Sequence, residues 1–453
     1  MKYQMARYAK ASELLGQVLL ASGPADGVVD RYFKAHRNMG STDRRFAGAV
    51  VYGCLRRQRE LLAMAQCLAP GADEPTAAGL LTGLYLMTAD GWLPDDFEHT
   101  DFAVFAATHG HAIKHFDRTR LHPAEQLNLP DWLYASLQQQ LPATEVEALA
   151  AALDETAPVD LRVNLRQCSR AQLAATLAEQ GIDTVLTPLA AAGLRRLVRG
   201  PLQNTPAFKA GWFEFQDEGS QLIGWLLQPQ AGEFIVDYCA GAGGKTLQLA
   251  DMMADQGSIL ACDVAPRRLA QLAPRLQRAA ASIVTTRVLQ PDVEDDLADY
   301  AVTADAVLVD APCSGSGTLR RAPDLRWRPV VLAELCQTQT RVLASASQLV
   351  KAGGRLVYVT CSLLAEENQQ VIAAFLASHP DFVRCPLPQL ADDPTSLALA
   401  RQDPDLMAHL QRTGELQLWP HRHHTDGFFA QVLRRLPRQG QAGGGAVAAV
   451  FRH

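Results

Sequence analysis

The chain has 453 residues, of which 48% are hydrophobic, and a formal net charge of −6 at neutral pH. A chain of this length exceeds one ordinary hydrophobic core, so two to three domains of a soluble globular protein are expected. No apolar run approaches the roughly 20 residues that a membrane span needs, and no apolar signal core follows the basic residues of the first dozen positions, which excludes a membrane protein and predicts no secretion signal.

The cysteines and histidines indicate the redox environment of the protein and whether it binds a metal. The nine cysteines include no Cys-x-x-Cys pair, which predicts a reduced, cytoplasmic protein. Two histidine groups lack cysteines or carboxylates at a ligand spacing, so no metal site is predicted. The two groups are His109, His111 and His115, and His421, His423 and His424.

The first 128 residues carry a helical pattern. Apolar residues recur at three- and four-residue spacing over 11–20, 44–62 and 79–87. Between Lys34 and Arg59, Asp43 is the only acid among many basic residues. Such a patch can bind phosphates even on an acidic protein, although a solvated helix face would give the same pattern. We predict an all-helical domain over residues 1–128.

The next hundred residues mix helices with short strands. Helices are predicted over 131–140, 144–153 and 169–180, the last of them ending at Gly181, and a strand over 161–165. This mixture predicts a small α/β connector domain over residues 129–229.

From residue 230 strands and helices alternate. Such alternation predicts a doubly wound, mostly parallel α/β sheet of the Rossmann-like kind over residues 230–436. The predicted strands are Phe234–Tyr238, Ile259–Cys262, Ile283–Leu289, Ala306–Val309 and Arg355–Val359. The glycine-rich residues 437–453 predict a disordered tail.

Two cysteines follow two of these strands directly. Cys313 lies just past the strand that ends near Asp310, and Cys361 just past the strand that ends near Val359. Reactive groups collect at the carboxyl edge of a parallel sheet, so both thiols and Asp310 are expected to face one pocket. Either cysteine alone would more often be a core residue, but the two together favour chemistry.

The first strand leads into a glycine-rich turn that begins at Asp237 and precedes a helix. Glycines allow close approach of a ligand, and the helix start offers free amide donors. A dinucleotide turn would need glycine where Thr246 stands, and a triphosphate loop would need glycine where Cys239 stands. S-adenosylmethionine, which has no phosphate, remains: Asp263 would bind its ribose and Asp292 its adenine amino group, unless these acids are a loop residue or a helix cap.

Four segments resemble the RNA (cytosine-C5) methyltransferases of the RsmB type, the Sun family. They are Asp237–Thr246, Asp310–Trp327, Thr360–Asn368 and Thr425–Phe429. The run Gln216–Ser220 is similar to that family's lead-in segment, and the first domain to its NusB-like RNA-binding domain. The family's glycine loop usually reads Ala-Pro-Gly-Gly-Lys, where this chain has Gly241-Ala-Gly-Gly-Lys245.

The resemblance implies a reaction and roles for individual residues. C5 of cytosine is a poor nucleophile until a thiolate adds to C6, a role that the resemblance gives to Cys361. Cys313 would assist release of the methylated base, and Asp310 would hold a proton at N3 or bond the exocyclic amine. The implied cofactor is S-adenosylmethionine. Its expected contacts are Cys239, Ala240, Gly241, Ala242, Gly243, Gly244, Lys245, Asp263, Asp292 and Asp310.

RNA is the implied partner, with a small-subunit rRNA cytosine as the default target of a monomeric enzyme. A stacked base must leave its helix to reach a thiol, and Arg320, Arg321 and Arg326 are predicted to hold the neighbouring phosphates, whereas Trp327 is expected to pack. Three alternatives stay open: a tRNA or another rRNA cytosine, a methyltransferase acting on a protein or small molecule, and a non-catalytic RNA-binding assembly factor.

Overall fold

The computed structural model describes residues 2–70, 76–198, 200–290, 296–387 and 393–437. The chain forms two compact units: residues 1–156 with 318–329, and residues 157–317 with 330–453. The first unit therefore continues past the predicted boundary at residue 128 and includes a segment from the second half of the chain. From residue 438 on, the predicted tail lies outside the described residues.

The first unit is helical, as its spacing of apolar residues predicts. Its α-helices are α1 (Lys2–Leu20), α2 (Ala25–Ala35), α3 (Ser41–Leu68), α4 (Ala77–Ala89), α5 (Ala103–Lys114), α6 (Pro123–Gln126), α7 (Asp131–Gln140) and α8 (Ala143–Asp154). Short 3₁₀ turns cover Pro94–Phe97, Arg118–Arg120 and Pro323–Trp327. Phe97 and Phe102 meet edge to face in the buried core, with ring centroids 4.9 Å apart. Gly83 of α4 permits this contact, since a Cβ there would overlap the Phe102 ring.

The second unit begins with a small antiparallel sheet. Its elements are β1 (Val159–Val163), α9 (Arg170–Ala178), β2 (Thr184–Leu186), β3 (Gly193–Arg196), α10 (Pro206–Lys209) and β4 (Phe213–Phe215). The strand order is β2-β3-β1-β4. Helix α9 starts where the Ser169 hydroxyl accepts a hydrogen bond from the Gln172 amide and the Gln172 side-chain oxygen accepts one from the Ser169 amide, which satisfies two amide groups at the N-terminus of the helix.

The large sheet forms the rest of this unit. Its elements are α11 (Glu218–Leu227), β5 (Phe234–Asp237), α12 (Gly244–Met252), β6 (Ser258–Asp263), α13 (Pro266–Leu269), α14 (Leu272–Ala279), β7 (Val284–Val288), β8 (Ala304–Asp310), α15 (Leu332–Ser347), β9 (Val350–Thr360), α16 (Gln369–Ser378), β10 (Phe382–Arg384), α17 (Pro394–Gln402), α18 (Pro404–Thr413), β11 (Glu415–Leu418), α19 (Pro420–His423) and β12 (Phe428–Arg435). Further 3₁₀ turns cover Ala298–Tyr300 and Ser316–Thr318.

The strand order β10-β12-β9-β8-β5-β6-β7, with β11 beside β12, confirms the predicted fold class. Strands β5 to β9 run parallel, and β12 runs antiparallel to β9. Side chains of β5, β8 and β9 are buried on both faces, which is why these strands appear in the sequence as continuous apolar runs. The chain reverses its direction of growth between β5 and β8, and the crevice at such a switch point is where ligands bind in open α/β sheets.

No helix in the described part of the chain is both long enough and apolar enough to cross a bilayer.

Candidate active site

The carboxyl ends of β5, β8 and β9 lie side by side and start the three functional loops. The Tyr238 amide donates to the Leu308 carbonyl at 2.9 Å, and the Ala311 amide donates to the Val359 carbonyl at 2.8 Å. These bonds continue the hydrogen-bonding pattern of the sheet one residue past the ends of β5 and β8. The glycine turn, the Cys313 loop and the Cys361 loop therefore leave one edge of the sheet together.

Cys313 and Cys361 are brought together there, with their sulfur atoms 3.4 Å apart. Both residues are half-buried. The hydrogen bond to the Cys361 sulfur, followed by burial, raises the pKa of Cys313 well above its usual value. At this distance one sulfur donates its hydrogen to the other, and the raised pKa of Cys313 favours Cys313 as the donor.

Asp310, at the end of β8, forms an ion pair with Lys245, the two charged atoms lying 2.7 Å apart. Burial alone would lower the pKa of Lys245, but the charges of Asp310 and Cys361 raise it above its usual value. Lys245 therefore stays protonated and supplies positive charge next to both groups. Its ammonium nitrogen also lies 5.4 Å from the centre of the Phe428 ring, within reach of a cation–π contact.

The glycine turn is shaped by positive φ angles and by one acid. Gly241 and Gly243 have φ of +56° and +82°, and a Cβ at Gly243 would overlap Leu272. The carboxylate of Asp263 accepts hydrogen bonds from the Gly241 and Ala265 amides, each at 2.7 Å. Asp263 therefore fixes the turn from the end of β6.

Asp237 stands under this turn with one oxygen occupied and one free. Its Oδ2 accepts from the Thr246 hydroxyl at 2.6 Å, whereas its buried Oδ1 has no partner among the described atoms. Burial raises the pKa of Asp237 to about 7, against the opposing effect of the Thr246 bond. A buried carboxylate oxygen without a donor suits a ligand that brings a cationic or N–H group.

These residues fit S-adenosylmethionine better than a phosphate-bearing ligand. Three carboxylates, Asp237, Asp263 and Asp310, surround a turn that glycines keep open. They would repel a phosphate and attract a cation. Burial holds the pKa of Cys239 well above its usual value, so the thiol beside the turn is neutral. Asp292, the predicted adenine contact, lies outside the described residues.

The predicted RNA contacts fall in the first unit. Arg326 is 1% exposed and donates to the Asp154 carboxylate and to the carbonyls of Arg56 and Asn128. In this structure Arg326 holds residues 318–329 in the helical core, contrary to the prediction of a phosphate contact. Arg320 is also buried, at 4% exposure, whereas Arg321 is exposed.

Trp327 packs, as expected. Its ring lies against the helical core, and its indole nitrogen donates to the Leu55 carbonyl at 2.6 Å.

The histidine groups have structural contacts. His423 is buried, accepts from the Trp419 amide at 2.9 Å and lies 3.2 Å from an Asp403 oxygen. In the part of the chain that the structure describes, no three histidine, cysteine or carboxylate side chains meet as a metal site would require.

One residue of this edge carries no role in the sequence analysis. Glu367 is fully buried between the two cysteine loops and accepts from the Ser314 amide and hydroxyl, at 2.8 and 2.5 Å, and from the Ser362 hydroxyl. The Gln339 side chain on α15 donates to it as well, at 2.9 Å. Its sequence signal is its place inside Thr360–Asn368, one of the segments that carry the family resemblance.

Comparison with known proteins gives the family. Residues 224–434 match the model of the 16S rRNA methyltransferase RsmB/F, and residues 129–200 match the ferredoxin-like domain of RsmF/B-like methyltransferases. A Synechocystis protein described as "Probable ribosomal RNA small subunit methyltransferase B" is 32% identical over 442 residues, covering 90% of this chain and 95% of its own.

A Yersinia pestis ribosomal RNA small subunit methyltransferase B is 34% identical over 309 residues, which cover 68% of this chain and 66% of that protein. The crystal structure of PH0851 superposes with a TM-score of 0.75 at 26% identity, covering 95% of this chain and 98% of that one. Together with the sheet, the glycine turn and the paired cysteines, these matches show that the chain belongs to the RsmB/F (Sun) family of S-adenosylmethionine-dependent 16S rRNA methyltransferases.

Proposed function

We propose that this protein is an RNA (cytosine-5)-methyltransferase that methylates C5 of one cytosine in small-subunit rRNA through a transient bond between Cys361 and C6 of the base. The observation that carries the proposal is the 3.4 Å approach of the Cys313 and Cys361 sulfurs beside Asp310. Neither a methyltransferase for oxygen or nitrogen nor a non-catalytic binding protein needs two thiols and an acid at the same sheet edge.

The geometry supports Cys361 as the nucleophile. The raised pKa of Cys313 favours Cys313 as the donor to the Cys361 sulfur, and Lys245 lies close enough to Cys361 for that sulfur to raise the pKa of Lys245. Both neighbours favour a negative charge on Cys361. Addition of that thiolate to C6 makes C5 electron-rich, which the unmodified ring is not.

Asp310 would act on the cytosine during the addition of Cys361, and Cys313 would act later, during its release. Asp310, held by Lys245 at 2.7 Å, is placed to accept from the exocyclic amine or to hold a proton at N3 as negative charge reaches the ring. Once the methyl group is on C5, Cys313 would give its proton to the departing Cys361 sulfur and, as the resulting thiolate, take the C5 proton, so that the C6–S bond breaks and the aromatic ring is restored. Cys313, next to the departing sulfur, would assist this release.

S-adenosylmethionine supplies the methyl group when bound. The turn Cys239–Lys245 with Asp263 and Asp310 would hold it, and the free Oδ1 of Asp237 gives this pocket an acceptor for a cationic group. Asp292 stays a predicted contact for adenine.

We also propose that the three regions of the chain have the roles predicted from the sequence. Residues 1–128 would bind RNA as a NusB-like domain, 129–229 would connect, and 230–436 would carry the chemistry. Arg321, which is exposed, keeps its proposed phosphate contact.

One experiment tests the reaction and its target together. The purified protein is incubated with methyl-labelled cofactor and total RNA from a strain without its gene, and the methylated base is identified by nucleoside mass spectrometry and mapped. We expect 5-methylcytosine at one small-subunit rRNA position. A Cys313→Ala variant should accumulate as a covalent protein–RNA adduct, and Cys313→Ala with Cys361→Ala should not. Methylation at oxygen or at an exocyclic nitrogen would refute the proposal.

A further inference from the structure

We propose that Glu367 is a positioning residue of this reaction, a buried carboxylate that fixes the spacing of the two catalytic sulfurs by binding the residue after each of them. The inference rests on the proposed roles of Cys313 and Cys361. Glu367 does not touch those sulfurs, and it acts through the loops that carry them.

Its four hydrogen bonds join segments that are far apart in the chain. Ser314, which follows Cys313, is 53 residues from Glu367 and donates from both its amide and its hydroxyl. Ser362, which follows Cys361, donates from its hydroxyl to the same oxygen that receives the Ser314 hydroxyl. One carboxylate oxygen therefore ties together the residues next to both cysteines.

A second layer holds the carboxylate itself. Gln339 of α15 donates to Glu367 at 2.9 Å and to the Pro312 carbonyl at 3.0 Å, so it spans the carboxylate and the residue before Cys313. The Tyr358 hydroxyl donates to the Glu367 backbone carbonyl at 2.7 Å. These partners leave the Glu367 side chain little freedom to move. The two cysteine loops that it binds are restricted in the same way.

The two oxygens of Glu367 receive different donors: Oε1 receives two N–H groups, and Oε2 receives two serine hydroxyls. Each Glu367 oxygen accepts two hydrogen bonds, and all four partners are N–H or O–H donors. A glutamine could keep its oxygen on the two N–H groups, but its NH₂ group would force the protons of both serine hydroxyls to turn away, and the negative charge would be lost. An aspartate would be shorter by one CH₂. Either change weakens the hold of the carboxylate on the two loops.

The charge has a second effect on the pair of thiols. Cys313 faces Cys361, Glu367 and the Tyr358 hydroxyl. After the hydrogen bond to Cys361 and burial, the negative charges of Cys361 and Glu367 raise the pKa of Cys313 further. The charge of Glu367 thereby favours the protonated form of Cys313.

The test uses Glu367→Gln in the full-length protein, with the adjacent Glu366→Gln as the matched control. Closure of the Cys313–Cys361 disulfide by diamide, which takes up the two thiol hydrogens, is followed by peptide mass spectrometry without RNA or cofactor. Compared at a pH at which both proteins have the same fraction of ionised Cys313, as found by alkylation, this rate measures the approach of the sulfurs, and it does not depend on methyl transfer. We expect it to fall about tenfold in Glu367→Gln and to stay unchanged in Glu366→Gln.

Two further readouts separate positioning from simple destabilisation. In Glu367→Gln, kcat should fall by about 10- to 100-fold while KM for RNA stays within about twofold, because binding surfaces are untouched. Alkylation of Cys313 should begin at lower pH in Glu367→Gln than in the wild type, because the charge that raises its pKa is gone. Should Glu367→Gln fail to fold, Ser314→Ala with Ser362→Ala must slow disulfide closure instead.

The outcomes distinguish this inference from the proposed function. Wild-type disulfide closure in a folded Glu367→Gln protein, whatever its activity, overturns the positioning role. A Cys361→Ala protein that still methylates RNA overturns the proposed function, yet slow disulfide closure in Glu367→Gln would even then show that Glu367 sets the distance between the sulfurs.

Discussion

The two halves of the active-site edge are built differently. The glycine turn after β5, the proposed cofactor site, is held mostly by backbone: two glycines with positive φ, and amides that donate to Asp263. The cysteine loops after β8 and β9 are held mostly by side chains that gather on the buried Glu367. A turn set by backbone geometry tolerates few residue types but needs few partners. A site set by side chains depends on residues that are distant in sequence.

Removal of the Cys361 thiol tests the cysteine half most severely. Cys361→Ala should reduce methyl transfer by at least about three orders of magnitude, since it removes the proposed nucleophile and the raised pKa of the neighbouring Cys313 disfavours a thiolate there. The measurement is initial rate with rRNA under saturating cofactor. The half-buried Cys336, which lies outside the pair of thiols, provides the matched control: Cys336→Ala should retain most of the activity.

Asp237 offers a pH test of the cofactor half. Its pKa is raised to about 7 in the folded protein from an ordinary value near 3.8, so the unfolded chain ionises first. The stability of the wild type should therefore fall relative to Asp237→Asn as pH rises from about 4 to 7, by about 2–4 kcal/mol in total. Urea denaturation without cofactor at a series of pH values measures this difference.

A pH-independent difference between wild type and Asp237→Asn would contradict the account of a buried acid without a partner. The Thr246 hydrogen bond is available to both side chains, so it should not contribute to the slope.

The Lys245–Asp310 ion pair joins the two halves of the edge and is largely buried. Lys245→Met should lower kcat by about 100-fold, because Asp310 loses its partner and Cys361 its nearby positive charge. Lys351→Met removes an exposed ion pair with Asp305 and should change stability by less than about 1 kcal/mol, with activity intact. If Lys245→Met and Lys351→Met changed kcat equally, the Lys245–Asp310 ion pair would have no special role in activity.

Two adjacent glycines give the finest comparison. Gly243→Ala should cost about 1–3 kcal/mol of unfolding free energy, because it places a side chain at a φ of +82° and against Leu272. Gly244 begins α12 and has open space around its Cα, so Gly244→Ala should be neutral or slightly stabilising. Thermal or urea melts of the two variants measure the difference, and a destabilised Gly244→Ala with an unchanged Gly243→Ala would contradict it.

The fold and the backbone-built half of the site could be predicted from sequence. Strands β5, β6, β8 and β9 appear as apolar runs, whereas the edge strand β7 does not, and the order of Asp237, the glycines and Lys245 along one segment is visible without coordinates. The pair formed by Cys313 and Cys361 could also be predicted from sequence, because each cysteine follows a strand directly and parallel strands end at one edge of the sheet.

The side-chain network could not be predicted, because nothing in a single sequence pairs Ser314 with Glu367. Arg326 is a second residue whose partners could not be predicted from sequence. A basic residue after a catalytic loop resembles a phosphate contact, but its partner Asp154 is 172 residues away, and only the folded chain shows that the guanidinium is buried.

The path of residues 318–329 has a consequence for synthesis on the ribosome. The N-terminal unit contains this segment, so Arg326 and Trp327 reach their partners around Leu55 and Asp154 only after residue 329 has been translated. A fragment that stops at residue 156 would leave Asp154 without its guanidinium and the α3 surface uncovered. The helical unit cannot complete its own core early, as N-terminal domains usually do. The order of translation thus delays completion of the helical unit until strands β5 to β8 of the large sheet have been synthesised, and a fragment cut after residue 156 would lack part of its core.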